Sequence, residues 1–290
     1  GNAMAALVPD LKARGRALWK SLHAVTGFWM SALLVVFLIS GLAWSGVWGD
    51  KIVQPWGSFP AQKWSDVPLS DTTHASMNHG HTNDVPWALE QTPMPASGSD
   101  AGITGIPAGT AVNIDSLVIL GRVLGMEGRF RVAYPSGETG VWTINRDSMS
   151  GDGDDPFIDR TIHIDRHTGK ILADVKYEDY SWMGKAMAVG IPFHMGLVGT
   201  WSFVLNVAFC LSVIFVCVSG VVMWVKRRPA RAARLAAPPA PAEVPLMKGA
   251  ALIGLFTAMA FPLVGLTLLA VLAFDLLILA NIPALKRAFS

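Results

Sequence analysis

"WKSLHAVTGFWMSALLVVFLISGLAWSGVWG", residues 19–49, decides what kind of chain this is. From Ala24 to Val47 it carries no charge, and the run is longer than the roughly 20 residues a helix needs to cross the hydrocarbon core of a bilayer. Its first turn nevertheless holds a histidine, His23, which an apolar helix does not need. The pattern recurs from about Leu197 to Val225 and from Ala250 to Ile282. Of the 290 residues 52% are hydrophobic and 15% charged, more apolar than a soluble domain needs for its core. The third run exceeds one perpendicular crossing, is too short for two, and has no polar turn at its middle. One tilted helix bent at Pro262 is expected there. The fold class is thus a polytopic α-helical membrane protein.

Lys and Arg are retained on the cytoplasmic side of a membrane. Lys12, Arg14, Arg16 and Lys20 precede the first run, and Lys226, Arg227, Arg228, Arg231 and Arg234 follow the second. Both ends therefore face the cytoplasm, which places the segment from about Trp48 to Phe193 outside, in the periplasm of a bacterial inner-membrane protein. The C-terminus then also lies outside, where Lys286 and Arg287 weakly oppose the rule. Trp44, Trp48, Trp56 and Trp182 suit an outer aromatic belt. The net charge of +2 reflects the basic clusters, and the lack of a basic stripe with interleaved aromatics argues against nucleic acid. Cys210 and Cys217 fall inside the second run and read as buried small residues rather than a disulfide or metal site. The opening "GNAMAALVPD" has no stretch suited to a signal peptide, so a membrane helix is expected to anchor the chain.

The organisation that follows is a cytoplasmic segment (1–21), a transmembrane helix (22–47), an extracytoplasmic loop (48–112), an α+β domain with a re-entry segment (113–195), a second transmembrane helix (196–225), a cytoplasmic linker (226–248), a long kinked transmembrane helix (249–282) and a tail (283–290). Residues 49–105, rich in Pro, Ser, Thr and Asp without sustained periodicity, read as an extended loop. In the domain, "IDSLVILGRVLGM" has helical spacing, "RFRVAY" and "GVWTINR" flank a turn, and "FIDRTIHID" and "KILADV" flank "RHTG". One helix and about four antiparallel strands are expected. Asp165 can close the last hairpin through its side chain, and Gly169 can take the left-handed conformation a tight turn needs.

"LHAVTGFW", "IDRHTGKI", "FHMGLVGTW", "GVVMWVKRRP" and "FPLVGLTLLAVLAFDLL" together resemble the PepSY-associated transmembrane proteins, and within them the iron-regulated inner-membrane proteins of the PiuB and FoxB type. The resemblance runs from Arg14 to Leu279 and makes the inserted extracytoplasmic α+β domain PepSY-like. It implies a haem-containing protein of iron uptake that reduces ferric siderophores. It also implies a further histidine-bearing transmembrane region before "RGRALWKSLHAVTGFW", which has no counterpart in this sequence.

His23 sits near the inner face and His194 near the outer face, and a neutral imidazole at either place can ligate haem iron. Two b-type haems at opposite faces would make a route for electrons. Arg16 and Lys20 are placed to meet propionates at the inner face, while Ala24 and Gly27 at one site and Gly190 and Gly196 at the other leave room for a flat macrocycle. The second axial ligand of His23 is open among Met223, a further helix and a second protomer; that of His194 is open among an external histidine and a further helix. The bland alternative is a histidine settling a helix end. His74, His79 and His81, with Met77, form a cluster in a mobile loop that could bind Cu or Zn; a solvated polar loop is the other reading. His163 and His167 belong to the hairpin in structural or surface roles. "DSMSGDGDDP" lacks the closing glutamate of a calcium loop and reads as an acidic hairpin loop. Asp275, inside the third run, fits a hydrogen-bonding partner of a ligating imidazole or a proton relay, or equally an interfacial carboxylate; Asn206 fits interhelical glue.

Two function classes result. One is a haem oxidoreductase taking electrons from a cytoplasmic or quinol donor and reducing a ferric siderophore at the periplasmic face, with membrane lipid around it and a homo-oligomer possible. The other is a non-catalytic membrane protein binding a metal, peptide or partner. No nucleophile–base triad, phosphate-cradling loop or zinc-hydrolase signature occurs, which sets hydrolysis and ATP-driven transport aside.

Overall fold

A computed structural model of the chain describes residues 7–43, 45–64, 66–78, 85–227, 248–279 and 281–282. It divides into two compact units. Ala24–Val216, with Leu7 and Val8, form one; Pro9–His23 and the described residues from Cys217 onward form the other. Two long helices, α1 (Gly15–Leu42) and α4 (Gly199–Arg227), each contribute to both.

In the first unit a four-stranded antiparallel sheet runs β3 (Arg131–Ala133), β4 (Trp142–Arg146), β5 (Arg160–Ile164), β6 (Ile171–Lys176) in that spatial order. Side chains alternate across such a sheet, so the two faces of β5 carry different chemistry. Ile162 and Ile164 pack with Ile144 and Ile171 against Leu117 and Leu120 of α2 (Ile114–Val123). Asn113 starts α2 by accepting from the Ser116 amide at 3.0 Å, with the Ser116 hydroxyl reciprocally bound to the Asn113 amide. The helix and four strands expected from the sequence are therefore present.

The opposite face, bearing Ala173 and Val175, is covered by Phe59, Trp64, Val85, Trp87 and Leu89. The described residues between 49 and 105 thus include a packed layer rather than the expected extended loop. Single helical turns at Gln54–Gly57, Ala61–Trp64 and His74–Met77 alternate there with a two-stranded pairing of β1 (Leu69–Thr73) and β2 (Pro93–Pro95). The layer is ordered by burying its aromatic side chains, not by any local period, which is why its sequence looks irregular. Tyr180 and α3 (Trp182–Met195) complete this core through Met187 and Ile191.

The β5–β6 turn is built as its sequence suggests. The Asp165 carboxylate accepts from the amides of Gly98 (2.7 Å), His167 (2.8 Å) and Thr168 (2.8 Å), and Gly169 has φ +70°. A Cβ on Gly169 would stand 2.7 Å from the Ile106 Cβ. Gly169→Ala is therefore expected to cost about 1–3 kcal/mol, from a disfavoured backbone region plus overpacking. Urea unfolding followed by tryptophan fluorescence measures it, and an unchanged midpoint would show that the turn relaxes freely.

Among the described residues three helical stretches are long and apolar enough to cross a membrane: Gly15–Leu42, Gly199–Arg227 and Pro262–Leu279. Their apolar side chains are largely exposed, as lipid-facing side chains would be. Cys210 and Cys217 share that exposure on α4 and are not buried as expected. In the second unit the third apolar run is two helices, α5 (Lys248–Ala260) and α6 (Pro262–Phe274), not one bent helix over 249–282. Phe261 between them has φ −125° and ψ 86°, outside the helical region. The cause is Pro262, whose ring disfavours the helical conformation of its predecessor while its own fixed φ suits the first position of a new helix. Most of the expected linker (226–248) and all of the tail (283–290) lie outside the described residues.

Candidate functional site

His194 lies at the last turn of α3, which Ser181 opens by accepting from the Gly184 amide at 3.1 Å and Gly196 closes with φ +76°. Asn206 of α4 donates to the carbonyls of Phe193 and His194, each at 3.0 Å, and so pins the corner between the helices. This is the interhelical role expected of Asn206. Gly196 instead departs from expectation: a Cβ there would stand 3.2 Å from the Asn206 Nδ2, so it serves the tight corner and not an open space.

The His194 Nδ1 is 2.7 Å from the Ser40 Oγ. Ser40 also lies 2.9 Å from the Val36 carbonyl and 3.2 Å from that of Phe37. A hydroxyl has one proton, and a carbonyl can only accept, so Ser40 donates within its helix and accepts from the His194 Nδ1–H. The His194 Nε2 has no hydrogen-bond partner among the described residues. Phe37 fixes the ring further, with centroids 4.6 Å apart, and is itself stacked on Phe209 at 4.5 Å.

His23, in the second unit, repeats the arrangement. Its Nδ1 is 2.8 Å from the Oγ of Ser219, a fully buried serine of α4, and its Nε2 has no partner among the described residues. Arg16 and Lys20 are exposed on α1 two turns and one turn before it, respectively, on the same helical face. Met223 lies one turn beyond Ser219 on α4, also on one face. A polar partner on one ring nitrogen is the usual device that orients a ligating histidine and leaves the other nitrogen for a metal. Gly27 and Gly190 each stand one turn from a histidine on its own helix, and a Cβ at either would meet nothing within 4 Å. The donor set and this open space fit a flat group held by one imidazole at each place.

His74 is a correction. It is fully buried under the sheet, not part of a mobile ligand loop, because its Nε2 meets the Nε2 of the equally buried His163 at 2.8 Å. The His74 Nδ1 is 2.7 Å from the Thr92 carbonyl, so that nitrogen carries the proton. His163 must then donate from Nε2 to His74 and accept at Nδ1 from the Thr143 hydroxyl, 2.9 Å away. Burial holds the His74 ring at about 4 despite the Thr92 bond, and burial together with His74 holds His163 well below the ordinary histidine value. With its lone pair engaged, His74 has none to offer a metal. His79 and His81 lie outside the described residues, and among the described residues no group of three or more His, Cys, Asp or Glu is arranged to hold a metal. His167 is an exposed turn residue, as expected.

Asp275 follows α6 at the start of a wide helical turn, Asp275–Leu279, and is exposed. Its side chain makes no hydrogen bond among the described residues. Ser40 and Ser219 were not expected as partners, since each shares its apolar helix with other hydroxyl residues and nothing local singles it out.

A comparison with known families bears on the chain as a whole. The family described as the PepSY-associated TM region matches residues 3–227. No curated protein and no solved structure matches the chain. A match over that much of the sequence, taken with three helices of spanning length, makes this a membrane protein of the PepSY-associated transmembrane family.

Proposed function

We propose that the chain is a haem-binding oxidoreductase of the bacterial inner membrane, of the PiuB and FoxB type, that carries electrons to ferric siderophores at the periplasmic face. The observation that carries this reading is the twofold use of one device: His194 held by Ser40 and His23 held by Ser219, each with Nε2 left without a partner among the described residues. Bound haem would supply reversible one-electron chemistry between its ferric and ferrous states. His23 and His194 would each furnish one axial nitrogen, with the second supplied to His23 by Met223, another helix or a second protomer. Arg16 and Lys20 would meet propionates at the inner face. One quinol, oxidised to quinone with release of two protons, supplies two electrons, enough to convert two ferric ions to ferrous. A hard-oxygen chelate holds ferrous iron more weakly, so the metal leaves and the siderophore stays intact.

The test is an oxidised-minus-dithionite-reduced visible spectrum with haem quantification on the purified full chain from haem-replete cells, followed by anaerobic reduction of a ferric hydroxamate. A reduced haem spectrum with two haems per chain, reoxidised by the ferric chelate, is expected. A folded protein free of haem would overturn the reading.

A further inference from the structure

Asp147 and Asp159 bound the acidic turn after β4, and both are buried. The Asp147 carboxylate accepts from the Ser150 amide (2.8 Å), the Ser150 hydroxyl (2.7 Å) and the Asn145 Nδ2 (3.1 Å). Asp159 accepts from the Ser148 amide at 2.8 Å and the Ser148 hydroxyl at 3.3 Å. Among the described residues neither has a cationic partner, since Arg131 and Arg129 approach Asp152 instead, at 3.4 and 3.8 Å. Two carboxylates without a cation, removed from water, cannot both stay ionised cheaply.

Both acids line a cavity of about 10 Å³ together with Tyr180. Tyr180 is only 4% exposed, and its hydroxyl has no hydrogen-bond partner among the described residues. A buried phenol normally finds one. A cavity of roughly 10–15 Å³ holds one water, and a buried water typically makes about three hydrogen bonds, the number of polar side chains converging here. The remaining wall is apolar, including Trp87 and, from α3, Met187 and Ile191.

We propose that Asp147, Asp159 and Tyr180 form a proton-holding site around one buried water, occupied by a proton near neutral pH. Burial first, then the Asp147 charge, pushes the Asp159 carboxyl up to about 8. Burial likewise raises Asp147, with Asp152 adding to it, and raises the Tyr180 hydroxyl well above its ordinary value. The other charged or titratable groups facing the site are Asp155 toward Asp159, Asp179 toward Tyr180, and Tyr177, which Lys185 overlies at 5.9 Å. Ile191 is three residues before His194 on α3. A link to electron transfer rests on the function proposed above: an electron arriving at the His194 end would favour proton uptake at this site, and its departure would favour release.

Infrared difference spectroscopy on the full chain in detergent tests the site without any haem. A protonated-carboxyl band is expected at pH 7, lost above pH 9 and absent in Asp159→Asn; no such band in folded wild type overturns the proposal. Tyr180→Phe removes a hydroxyl that no described protein group bonds, and with it one partner of the water, so it is expected to move the band; an unmoved band overturns the assignment of Tyr180 and the water. Loss of the wild-type band on adding Ca²⁺ or Mg²⁺ would make this a cation site and overturn the proton reading. The redox link has its own readout, a midpoint potential that falls with pH in wild type and is flat in Asp159→Asn. Equal slopes overturn the link, whereas a haem-free protein defeats the function reading and leaves the infrared result standing.

Discussion

On the proposed haem ligation, His194→Ala is expected to leave about half of the haem in the chain and to abolish ferric hydroxamate reduction, because the axial nitrogen assigned to the outer site is removed. The variant should still fold. Asn206 binds the backbone carbonyl of His194 rather than its ring, so the α3–α4 corner keeps its cap, and among the described residues the side-chain hydrogen bond lost is the one to Ser40. That loss is worth about 1 kcal/mol. Ser40→Ala makes a sharper point. It leaves the imidazole in place but removes the acceptor that fixes the Nδ1 proton, and changes of this kind lower metal affinity about 10–100-fold. Haem titration of the apoprotein should therefore show weaker binding in Ser40→Ala at unchanged stoichiometry, and reduced stoichiometry in His194→Ala. His23→Ala should lose the other half while sparing the outer site. Full haem retention in a folded His194→Ala protein would remove His194 as a ligand.

How much of this was legible in the sequence depends on how far apart the partners lie. The β5–β6 hairpin could be read because Asp165 and Gly169 act within one turn, and α2 because Asn113 and Ser116 cap it locally. The apolar runs announced their helices, and Pro262 announced a break though not its completeness. The layer over residues 49–105 was misread because nothing local orders it; Phe59, Trp64 and Trp87 find their places only when the sheet is there to receive them. The histidines were visible and their partners were not. Ser40 precedes His194 by 154 residues, Ser219 follows His23 by 196, and His74 precedes His163 by 89. His74, five residues before His79, looks like a metal ligand until His163 on a strand elsewhere in the chain claims its lone pair.

The stability of the extramembrane part should be nearly flat between about pH 4 and 6.5, and Asp159→Asn should tilt it. His74 drops from its ordinary 6.5 to about 4 on folding, so within that window the unfolded chain carries a proton that the folded chain lacks. Taken alone, this makes stability full above pH 6.5 and progressively lost on acidification, by about 1.4 kcal/mol per pH unit. Asp159 does the reverse. Its carboxyl rises from 3.8 to about 8, so the folded chain holds the extra proton, and its contribution is fully present below 3.8 and lost as the pH climbs through 8. In the shared window the two protons cancel, and His163 and Asp147, which shift in the same senses as their neighbours, oppose each other likewise. Above 6.5 only the acid contribution still changes, so wild-type stability should decline toward pH 8. Asp159→Asn removes that decline and exposes the histidines, moving the pH of greatest stability upward and adding an acid slope of about 1.4 kcal/mol per pH unit. Thermal melts of the full chain in detergent, followed by tryptophan fluorescence from pH 4 to 9, measure both limbs. Parallel curves for the two proteins would mean that Asp159 is ionised in the folded state after all, and that the buried histidines face an unopposed acid loss in the wild type as well.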